Sequence, residues 1–385
     1  MMVTGRNESL NRRIRLGMVG GGTDAFIGGV HRIAARIDDH YELVAGALSS
    51  TPEKARASGE ALGLARIYDD FKEMAMREAR RKDGIEAVSI VTPNHVHYAA
   101  AREFLKRGIH VICDKPLTST LADAKKLVKA AESSDALFIL THNYTGYPMV
   151  RQAREMVATG KIGKIRVIQV EYPQDWLTTE QTFKQAAWRT DPARSGVGGS
   201  TGDIGTHAYN LACFVSGLAA EELCADLQAF VPGRPLDDNA HVMLRFTGGA
   251  RGMLWSSQVA PGNENALRLR IYGGTGGLEW AQEDPNYLWY TPFGEPKRLI
   301  TRGGSGASEV AGRVTRVPPG HPEGYLEGFA NIYSEAAAAI RAYRAGEGAP
   351  SDVHFPTVSD GLKGVEFVDA CVRSAARNSA WIKLG

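Results

Sequence analysis

The residue that most strongly suggests chemistry is Lys115, which follows a short apolar strand in the run His110-Val-Ile-Cys-Asp-Lys115-Pro116. Gly108 turns the chain into this strand, and Pro116 ends the extended stretch. In an open α/β sheet, ligands bind beyond the carboxyl ends of the strands. The position therefore predicts that Lys115 faces a ligand, although many lysines at strand ends are only solvated.

A second candidate pair, Asp203 and His207, lies in the run Gly198-Gly-Ser200-Thr-Gly-Asp203-Ile-Gly-Thr-His207, which opens a helix. The two residues are four positions apart, which places them on one helical face. Histidine has an unperturbed pKa of about 6.5, so His207 can exchange a proton near neutral pH. Ser200 with Asp203 also fits a capping box, which leaves open that Asp203 only caps its helix and that His207 is structural.

Clustered glycines follow the first apolar strand, in segment 15–22, and a helical stretch comes next. Glycines let the backbone approach a pyrophosphate, and the first N–H groups of a helix attract the anion. Gly20 and Gly22 fit the dinucleotide-binding pattern, but its third position falls on Ala25, and Gly28 would need an insertion. An ordinary glycine-rich turn is the alternative.

Another buried-looking strand, 85–91, ends in Thr92-Pro93-Asn94-His95-Val96-His97 at the mouth of a helix. With the glycine turn and Lys115, this makes three strand exits that we expect at one edge of a sheet.

In this order and spacing, these motifs resemble the glucose-fructose oxidoreductase, inositol dehydrogenase and rhizopine-catabolism protein family, called Gfo/Idh/MocA, over nearly the whole chain. Relatives usually carry glutamate before the lysine, where this chain has Asp114. The motifs that carry the resemblance are the glycine turn, Thr92-Pro93-Asn94 with His97, Lys115-Pro116, Asp203 with His207, and Trp188-Arg189.

The resemblance implies an NAD(P)-dependent dehydrogenase or reductase acting on CH–OH groups. Lys115 is expected to hydrogen-bond the reacting oxygen, since a lysine with a pKa of about 10.4 is a poor base unless burial lowers it. His207 is expected to be the general base in oxidation and the general acid in reduction, with Asp203 orienting the substrate or balancing charge. The predicted cofactor-binding residues are Gly20, Gly22, Gly28, Ser49, Ser50, Lys54, Thr92, Pro93, Asn94, His97, Asp114 and Lys115.

The end of the second strand bears on the choice between NAD and NADP. Enzymes selective for NAD commonly place Asp or Glu there, which repels a 2′-phosphate. This chain has Ser49 and Ser50 at that place, followed by Lys54 and Arg56, and is similar to relatives that use NADP. The sequence therefore favours NADP and leaves NAD, or use of both, open.

The segment 141–148 departs from the family, because relatives often have arginine where this chain has residues 144–146. A polyhydroxylated substrate is expected, such as an aldose, cyclitol or anhydrosugar. The residues predicted to bind its hydroxyls and ring faces, some of which could instead be packing or turn residues, are Tyr144, Trp176, Trp188, Arg189 and His321.

Composition bounds the function further. The 385 residues, 43% of them hydrophobic, are enough for two domains with sizeable cores. A net charge of +2 without a basic run argues against a nucleic-acid partner. No apolar stretch reaches the roughly 18 residues of a membrane span, and the polar start lacks a signal core, so we expect a cytoplasmic protein. Four scattered cysteines without C-x-x-C spacing predict neither a metal site nor a disulfide framework.

The pattern predicts an α/β protein. After a flexible N-terminus, 1–13, alternating strands and helices in 14–145 indicate a Rossmann domain with a doubly wound parallel sheet. Residues 146–385 are expected to form a substrate-binding and oligomerisation domain, in which the His207 helix lies against a large, mostly antiparallel open sheet. The resemblance implies that the exposed face of this sheet joins subunits into a homodimer or homotetramer.

Two other functions stay open. The same fold supports nicotinamide-dependent cleavage of glycosides without net redox change, and a non-enzymatic sensor could use the dinucleotide as a ligand. The presence of Lys115, Asp203 and His207 together argues against a pure sensor, which needs no proton-transfer groups.

Overall fold

The structure is a computed structural model that describes residues 12–181 and 184–385. Most of the predicted flexible N-terminus therefore lies outside the described residues. The chain divides into two compact units. Unit 1 runs to Thr118 and adds residues 122–143 and 325–361, and unit 2 contains 119–121, 144–324 and 362–385. The predicted second domain had included 325–361.

The strands form two sheets, one in each unit. In chain order they are β1 (Ile14–Gly20), β2 (Tyr41–Ala47), β3 (Arg66–Ile67), β4 (Ala87–Val91), β5 (His110–Cys113), β6 (Phe138–Leu140), β7 (Ile165–Pro173), β8 (Ala220–Gln228), β9 (Asn239–Phe246), β10 (Arg251–Ser257), β11 (Arg268–Gly273), β12 (Gly276–Ala281), β13 (Tyr287–Pro292), β14 (Arg298–Thr301) and β15 (Ile382–Lys383).

The helices cover these sheets. They are α1 (Phe26–Ile37), α2 (Pro52–Ala61), α3 (Phe71–Glu78), α4 (Asn94–Leu105), α5 (Leu121–Glu132), α6 (Pro148–Ala158), α7 (Lys184–Arg189), α8 (Pro192–Ser195), α9 (Thr206–Ser216), α10 (Glu309–Gly312), α11 (Tyr325–Ala345) and α12 (Val358–Ala375).

The sheet of unit 1 is parallel throughout, in the order β3-β2-β1-β4-β5-β6. Its central strands β4 and β5 are buried along their whole length, as expected for parallel strands covered on both faces. The strand order reverses beside β1, and in such sheets ligands bind outside the carboxyl ends at this point. The predicted Rossmann sheet is confirmed.

Helix α11 belongs to the core of unit 1. Phe329, Tyr333 and Ala336 of α11 are buried with Val30 and Ala34 of α1. Small residues on α11 let the two helices approach closely, so the C-terminal part of the chain helps to hold α1 beside the glycine turn.

The sheet of unit 2 has the order β14-β13-β12-β11-β7-β10-β9-β8-β15, in which only β7 and β10 pair in parallel. Strands β9 and β10 form a hairpin, and Gly248 and Gly249 turn it with positive φ angles. Helix α9, which carries His207, packs on β7 and β11. The mostly antiparallel sheet with this helix against it agrees with the prediction.

Three further observations concern particular classes of site. Within residues 12–181 and 184–385, no helix is both long and apolar enough to cross a membrane. The same residues contain no group of three or more His, Cys, Asp or Glu side chains suited to a metal ion. The cysteines at 113, 213, 224 and 371 are free thiols.

Candidate active site

The turn after β1 is tightly packed and needs glycine at several places. Gly20 and Gly21 have φ angles of 76° and 71°, where a side chain is strained. A Cβ on Gly28 would lie 2.4 Å from Cα of Gly21, and a Cβ on Gly22 would lie 2.9 Å from Ser58 Oγ. Gly28 therefore closes against the turn from the first turn of α1, despite its unusual spacing. The sequence prediction did not include Gly21.

The start of α1 leaves its first N–H groups available. Its N-cap residue, Ala25, provides no side-chain cap, and its first turn has no acidic residue. These N–H groups and the helix dipole favour an anion at this end. Thr92 Oγ1, at the end of β4, is buried without a hydrogen-bond partner among the described residues. The glycine cradle, the uncapped helix and this hydroxyl fit a nicotinamide dinucleotide.

No carboxylate follows β2 directly. Ser49 Oγ accepts a hydrogen bond from the backbone N–H of Thr51 at 3.1 Å, and Ser50 is exposed. Arg56 donates to Asp69 at 2.7 Å, so this exposed cation already has an acidic partner. Lys54 remains exposed on α2.

The segment after β5 places Asp114 and Lys115 at the carboxyl edge of the sheet. Asp114 Oδ1 accepts from Thr141 Oγ1 at 3.0 Å and lies 3.5 Å from His31 Nε2. Burial favours the neutral carboxyl group, but the contact with His31 and the nearby charge of Lys115 outweigh it and hold the pKa of Asp114 below its usual range. Asp114 is therefore a half-buried carboxylate beside the lysine.

His97 contacts the loops that follow β4 and β5. Its ring is fully buried, with Nδ1 2.8 Å from the carbonyl oxygen of Pro116 and Nε2 2.9 Å from that of Thr92. Burial lowers its pKa. Because both ring nitrogens contact backbone carbonyls, His97 fixes the loops after β4 and β5. Asn94, also predicted to bind the cofactor, is buried at the start of α4.

In unit 2, Asp203 lies in a single π-helical turn, Thr201–Gly205, that leads into α9. Its Oδ2 accepts from Arg189 Nε at 3.2 Å and from Gln258 Nε2 at 3.0 Å. The capping-box alternative is wrong, because Ser200 makes no side-chain cap bond to this turn. The charge of Asp203 is instead balanced by Arg189.

Asp237, which sequence reasoning missed, holds the turn before Asp203. Its carboxylate accepts from the N–H groups of Gly199 and Thr201 at 2.6 and 2.8 Å, and from the hydroxyls of Ser200 and Thr201 at 3.0 and 2.7 Å. A Cβ on Gly199 would lie 1.9 Å from the carbonyl oxygen of Asp237. The start of the helix that carries His207 is thereby fixed from a distant part of the sequence.

His207 is enclosed by aromatic rings. Its ring centroid lies 4.8 Å from that of Tyr144 and 6.3 Å from that of Tyr172. The hydroxyl groups of these two tyrosines are hydrogen-bonded to each other, and Tyr172 donates to Asn265 Oδ1 at 2.8 Å. Burial raises the pKa of Tyr144 to about 12, so its hydroxyl stays protonated. Tyr144 thus contacts a predicted catalytic residue.

Amide side chains extend this polar cluster. Gln174 Nε2 donates to Asn265 Oδ1 at 2.7 Å, and Trp176 Nε1 donates to Gln174 Oε1 at 2.9 Å. Gln174 and Gln258 directly follow β7 and β10. The sequence prediction omitted all three amides, although a position just after a strand end would have identified Gln174 and Gln258.

The loop that carries His321 contacts a buried cation, Arg302. Arg302 donates to Glu323 Oε1 at 3.0 Å, to the carbonyl of Val317 at 2.7 Å, and to that of His321. Arg302 and Glu323 are 2% and 5% exposed, whereas His321 is exposed. The structure therefore presents His321 on a rigid loop.

The predicted site residues fall into two groups. Unit 1 brings the glycine turn, Thr92, Asn94, His97, Asp114 and Lys115 to one edge of its sheet. Unit 2 brings His207, Tyr144 and Trp176 into one polar and aromatic cluster. It also pairs Asp203 with Arg189, whose guanidinium lies 4.5 Å from the centroid of the Trp188 ring. Their individual roles stay predictions.

Comparisons with known protein families match most of the chain. Residues 14–142 match the family described as oxidoreductase family, NAD-binding Rossmann fold. Residues 150–279 match the GFO/IDH/MocA C-terminal domain.

Similar proteins have been solved or characterised along nearly the full length. An oxidoreductase from Sinorhizobium meliloti is 71% identical, with a TM-score of 0.90, covering 97% of this chain and 100% of that chain. An inositol dehydrogenase homologue from Azotobacter vinelandii, solved with NADH and myo-inositol, is 36% identical, with a TM-score of 0.91 and coverage of 97% and 98%. Levoglucosan dehydrogenase of Pseudarthrobacter phenanthrenivorans is 26% identical over 96% of this chain and 98% of its own length.

Proposed function

Because this chain belongs to the Gfo/Idh/MocA family of NAD-binding oxidoreductases, we propose that it transfers a hydride between nicotinamide and a sugar, cyclitol or related polyol. The reacting group is a secondary hydroxyl or an anomeric carbon. The observation that carries this proposal is the cluster at His207, where two tyrosine rings pack against a titratable group and amide side chains extend the hydrogen bonds of these tyrosines. The balanced carboxylate of Asp203 lies four positions earlier in the chain. Such groups recognise hydroxyls and ring faces.

The bound dinucleotide would accept or supply the hydride. In oxidation, a ring nitrogen of His207 takes the proton of the reacting hydroxyl, while the carbon that bears this hydroxyl gives its hydride to the nicotinamide. In reduction, His207 returns the proton. The Lys115 ammonium donates a hydrogen bond to the reacting oxygen and stabilises alkoxide character. Asp203, which is held by Arg189 and Gln258, accepts a hydrogen bond from a substrate hydroxyl and so orients the substrate.

The enzyme is proposed to accept NADP, and to prefer it. Supporting this, no carboxylate follows β2 that would repel a 2′-phosphate, and Ser49, Ser50 and Lys54 offer hydroxyls and a cation. The ratio of kcat/KM for NADP and NAD tests this directly. Ser50→Asp should reverse the ratio toward NAD, and a wild-type preference for NAD by about tenfold or more would contradict the proposal.

We propose that the enzyme forms a homodimer or homotetramer. Met243 and Met253 face each other across β9 and β10 and are 52% and 49% exposed, beside a further exposed apolar residue, Val167. Exposed apolar patches of this kind mark interaction surfaces. Sedimentation should give an oligomer for the wild type and a smaller species for the Met243→Lys, Met253→Lys double variant. A wild-type monomer would refute this part of the proposal.

The substrate class is tested by the change in reduced-nicotinamide absorbance with NADP or NAD and a panel containing aldoses, myo-inositol, levoglucosan and glycosides. Turnover of a free polyol supports the proposal. Cleavage of a glycoside without net formation of reduced nicotinamide would instead establish the redox-neutral glycoside-cleaving function. Dinucleotide binding with neither reaction would refute the proposed substrate class.

A further inference from the structure

A chain of one half-buried and three buried polar side chains lies behind the end of β5. It consists of Asp114 after β5, His31 on α1, Ser89 on β4 and Tyr333 on α11. His31 and Ser89 are 0% exposed and Tyr333 is 1% exposed. Four separate segments of unit 1 thus converge here, and the proposed function gives no role to His31, Ser89 or Tyr333.

The hydrogen bonds of this chain can be satisfied with His31 Nδ1 as an acceptor. His31 Nδ1 lies 2.9 Å from Tyr333 Oη and 3.2 Å from Ser89 Oγ, and the two hydroxyls are 2.9 Å apart. Burial raises the pKa of Tyr333, so this hydroxyl remains a donor. If Ser89 donates to Tyr333, and Tyr333 donates to Nδ1, all three groups are satisfied.

A neutral imidazole that accepts at Nδ1 carries its proton at Nε2. His31 Nε2 lies 3.5 Å from Asp114 Oδ1, an electrostatic contact rather than a hydrogen bond, and this nitrogen has no hydrogen-bond partner among the described residues. Thr141 Oγ1 donates to the same oxygen at 3.0 Å. The other charged or titratable groups that interact with Asp114 include Lys115, His97, His142, Cys113 and Tyr333.

We propose that His31 is a positioning residue for the reaction: its Nε2–H holds Asp114 as a carboxylate, and this carboxylate fixes the ammonium group of Lys115. The inference rests on the proposed function, because it assigns Lys115 the same task. Tyr333 and Ser89 then set the tautomer of His31. Helix α11 contributes to the site through this tautomer.

The first test needs neither cofactor nor substrate. His31→Gln keeps an N–H donor near Asp114, His31→Leu removes it, and neither variant has an imidazole that could titrate. Without the donor, burial raises the pKa of Asp114, and its ionised form then destabilises the fold. The Tm of His31→Leu should therefore fall progressively below that of His31→Gln as the pH rises from about 4 to about 7.

An Asp114→Asn background supplies the control for this comparison. There the Tm difference between His31→Gln and His31→Leu should not depend on pH, because no carboxyl group remains. A pH-independent difference in the wild-type background would overturn the inference, since it would mean that His31 only fills space. This measurement stays decisive even if the enzyme turns over none of the polyols tested.

The second test is the pH profile of the reductive direction, using the ketone formed from the most active polyol of the panel. His207 acts there as an acid, so its protonation does not remove activity at low pH. The acid limb of kcat should move upward by about one pH unit or more in His31→Leu, with most of the wild-type profile restored in His31→Gln. Parallel profiles for the two variants would overturn the inference.

Thr141→Val provides a second, nearly isosteric route to the same answer should His31→Leu fail to fold. It removes the other donor to Asp114 Oδ1, so the acid limb should move in the same direction. An unchanged acid limb in this variant would contradict the role given to Asp114. If the wild type itself shows no turnover, the proposed function fails while the comparison of Tm values still decides the inference.

Discussion

The turn that precedes Asp203 and His207 should depend on one distant carboxylate, Asp237. In Asp237→Asn, one acceptor oxygen becomes an NH2 group that faces donors. The four hydrogen bonds at this carboxylate include two from backbone N–H groups, and at least one of these would lose its acceptor. An unsatisfied buried N–H costs about 1–3 kcal/mol, and the remaining bonds weaken when the charge is lost. We expect a loss of about 2–4 kcal/mol in the free energy of unfolding.

The adjacent residue, Asp238, provides a matched control. It is also buried, and it accepts from the N–H groups of Phe230 and Val231 at 2.9 and 3.0 Å, and from Arg234 at 3.1 Å. Asp238→Asn should cost a similar free energy of unfolding, but it loosens a loop that carries none of the predicted catalytic residues.

The two variants are compared by urea unfolding and by steady-state kinetics at a temperature where both are folded. Asp237→Asn should lower kcat by about tenfold or more, because small displacements of catalytic groups are costly. Asp238→Asn should leave kcat within a factor of about three. Equal kcat values for the two variants, whether both reduced or both unchanged, would refute the claim that Asp237 positions the catalytic turn.

Three further predictions follow from other parts of the chain. Gly28→Ala should weaken dinucleotide binding in a fluorescence titration by about tenfold or more, because its Cβ would collide with the glycine turn. Gly29→Ala should leave binding unchanged, because its Cβ would meet only one atom, at 3.9 Å. Arg302→Met should cost about 3 kcal/mol in urea unfolding because it removes the nearest cation, 3.0 Å away, from the buried carboxylate of Glu323. The exposed Arg298→Met should cost at most about 1 kcal/mol; similar losses would contradict this. Burial lowers the pKa of His110 to about 4, so roughly 3 kcal/mol of stability should be lost as the pH falls from about 6.5 toward about 4, and His110→Gln should flatten this dependence in unfolding measurements.

The sequence could predict those features that local patterns determine. Apolar runs followed by glycine, Thr92 or Lys115 identified three parallel strands. The polar residues after them marked the carboxyl edge of the sheet, where ligands bind in open α/β sheets. The β9–β10 hairpin was similarly accessible from its turn glycines. The short strand β3, with only two residues, had no periodic signal to detect.

The missed features depend on tertiary contacts. Ser200 and Asp203 fit a capping box locally, but Asp237, more than thirty residues away, takes the Ser200 hydroxyl instead. The apolar face of α11 predicts a buried helix without indicating which core it covers. Gly28 seemed displaced from the dinucleotide-binding pattern, and only the geometry of α1 brings it against Gly21.

The central claim is that Lys115 and His207 perform proton chemistry during hydride transfer. The most direct measurement is the turnover of the best polyol by wild type, Lys115→Ala and His207→Ala, with dinucleotide binding measured on the same samples. We expect each variant to bind the dinucleotide and to lose roughly a hundredfold or more in kcat, as for removal of a general acid or base. Turnover within a factor of about ten of the wild type, with binding intact, would contradict the claim.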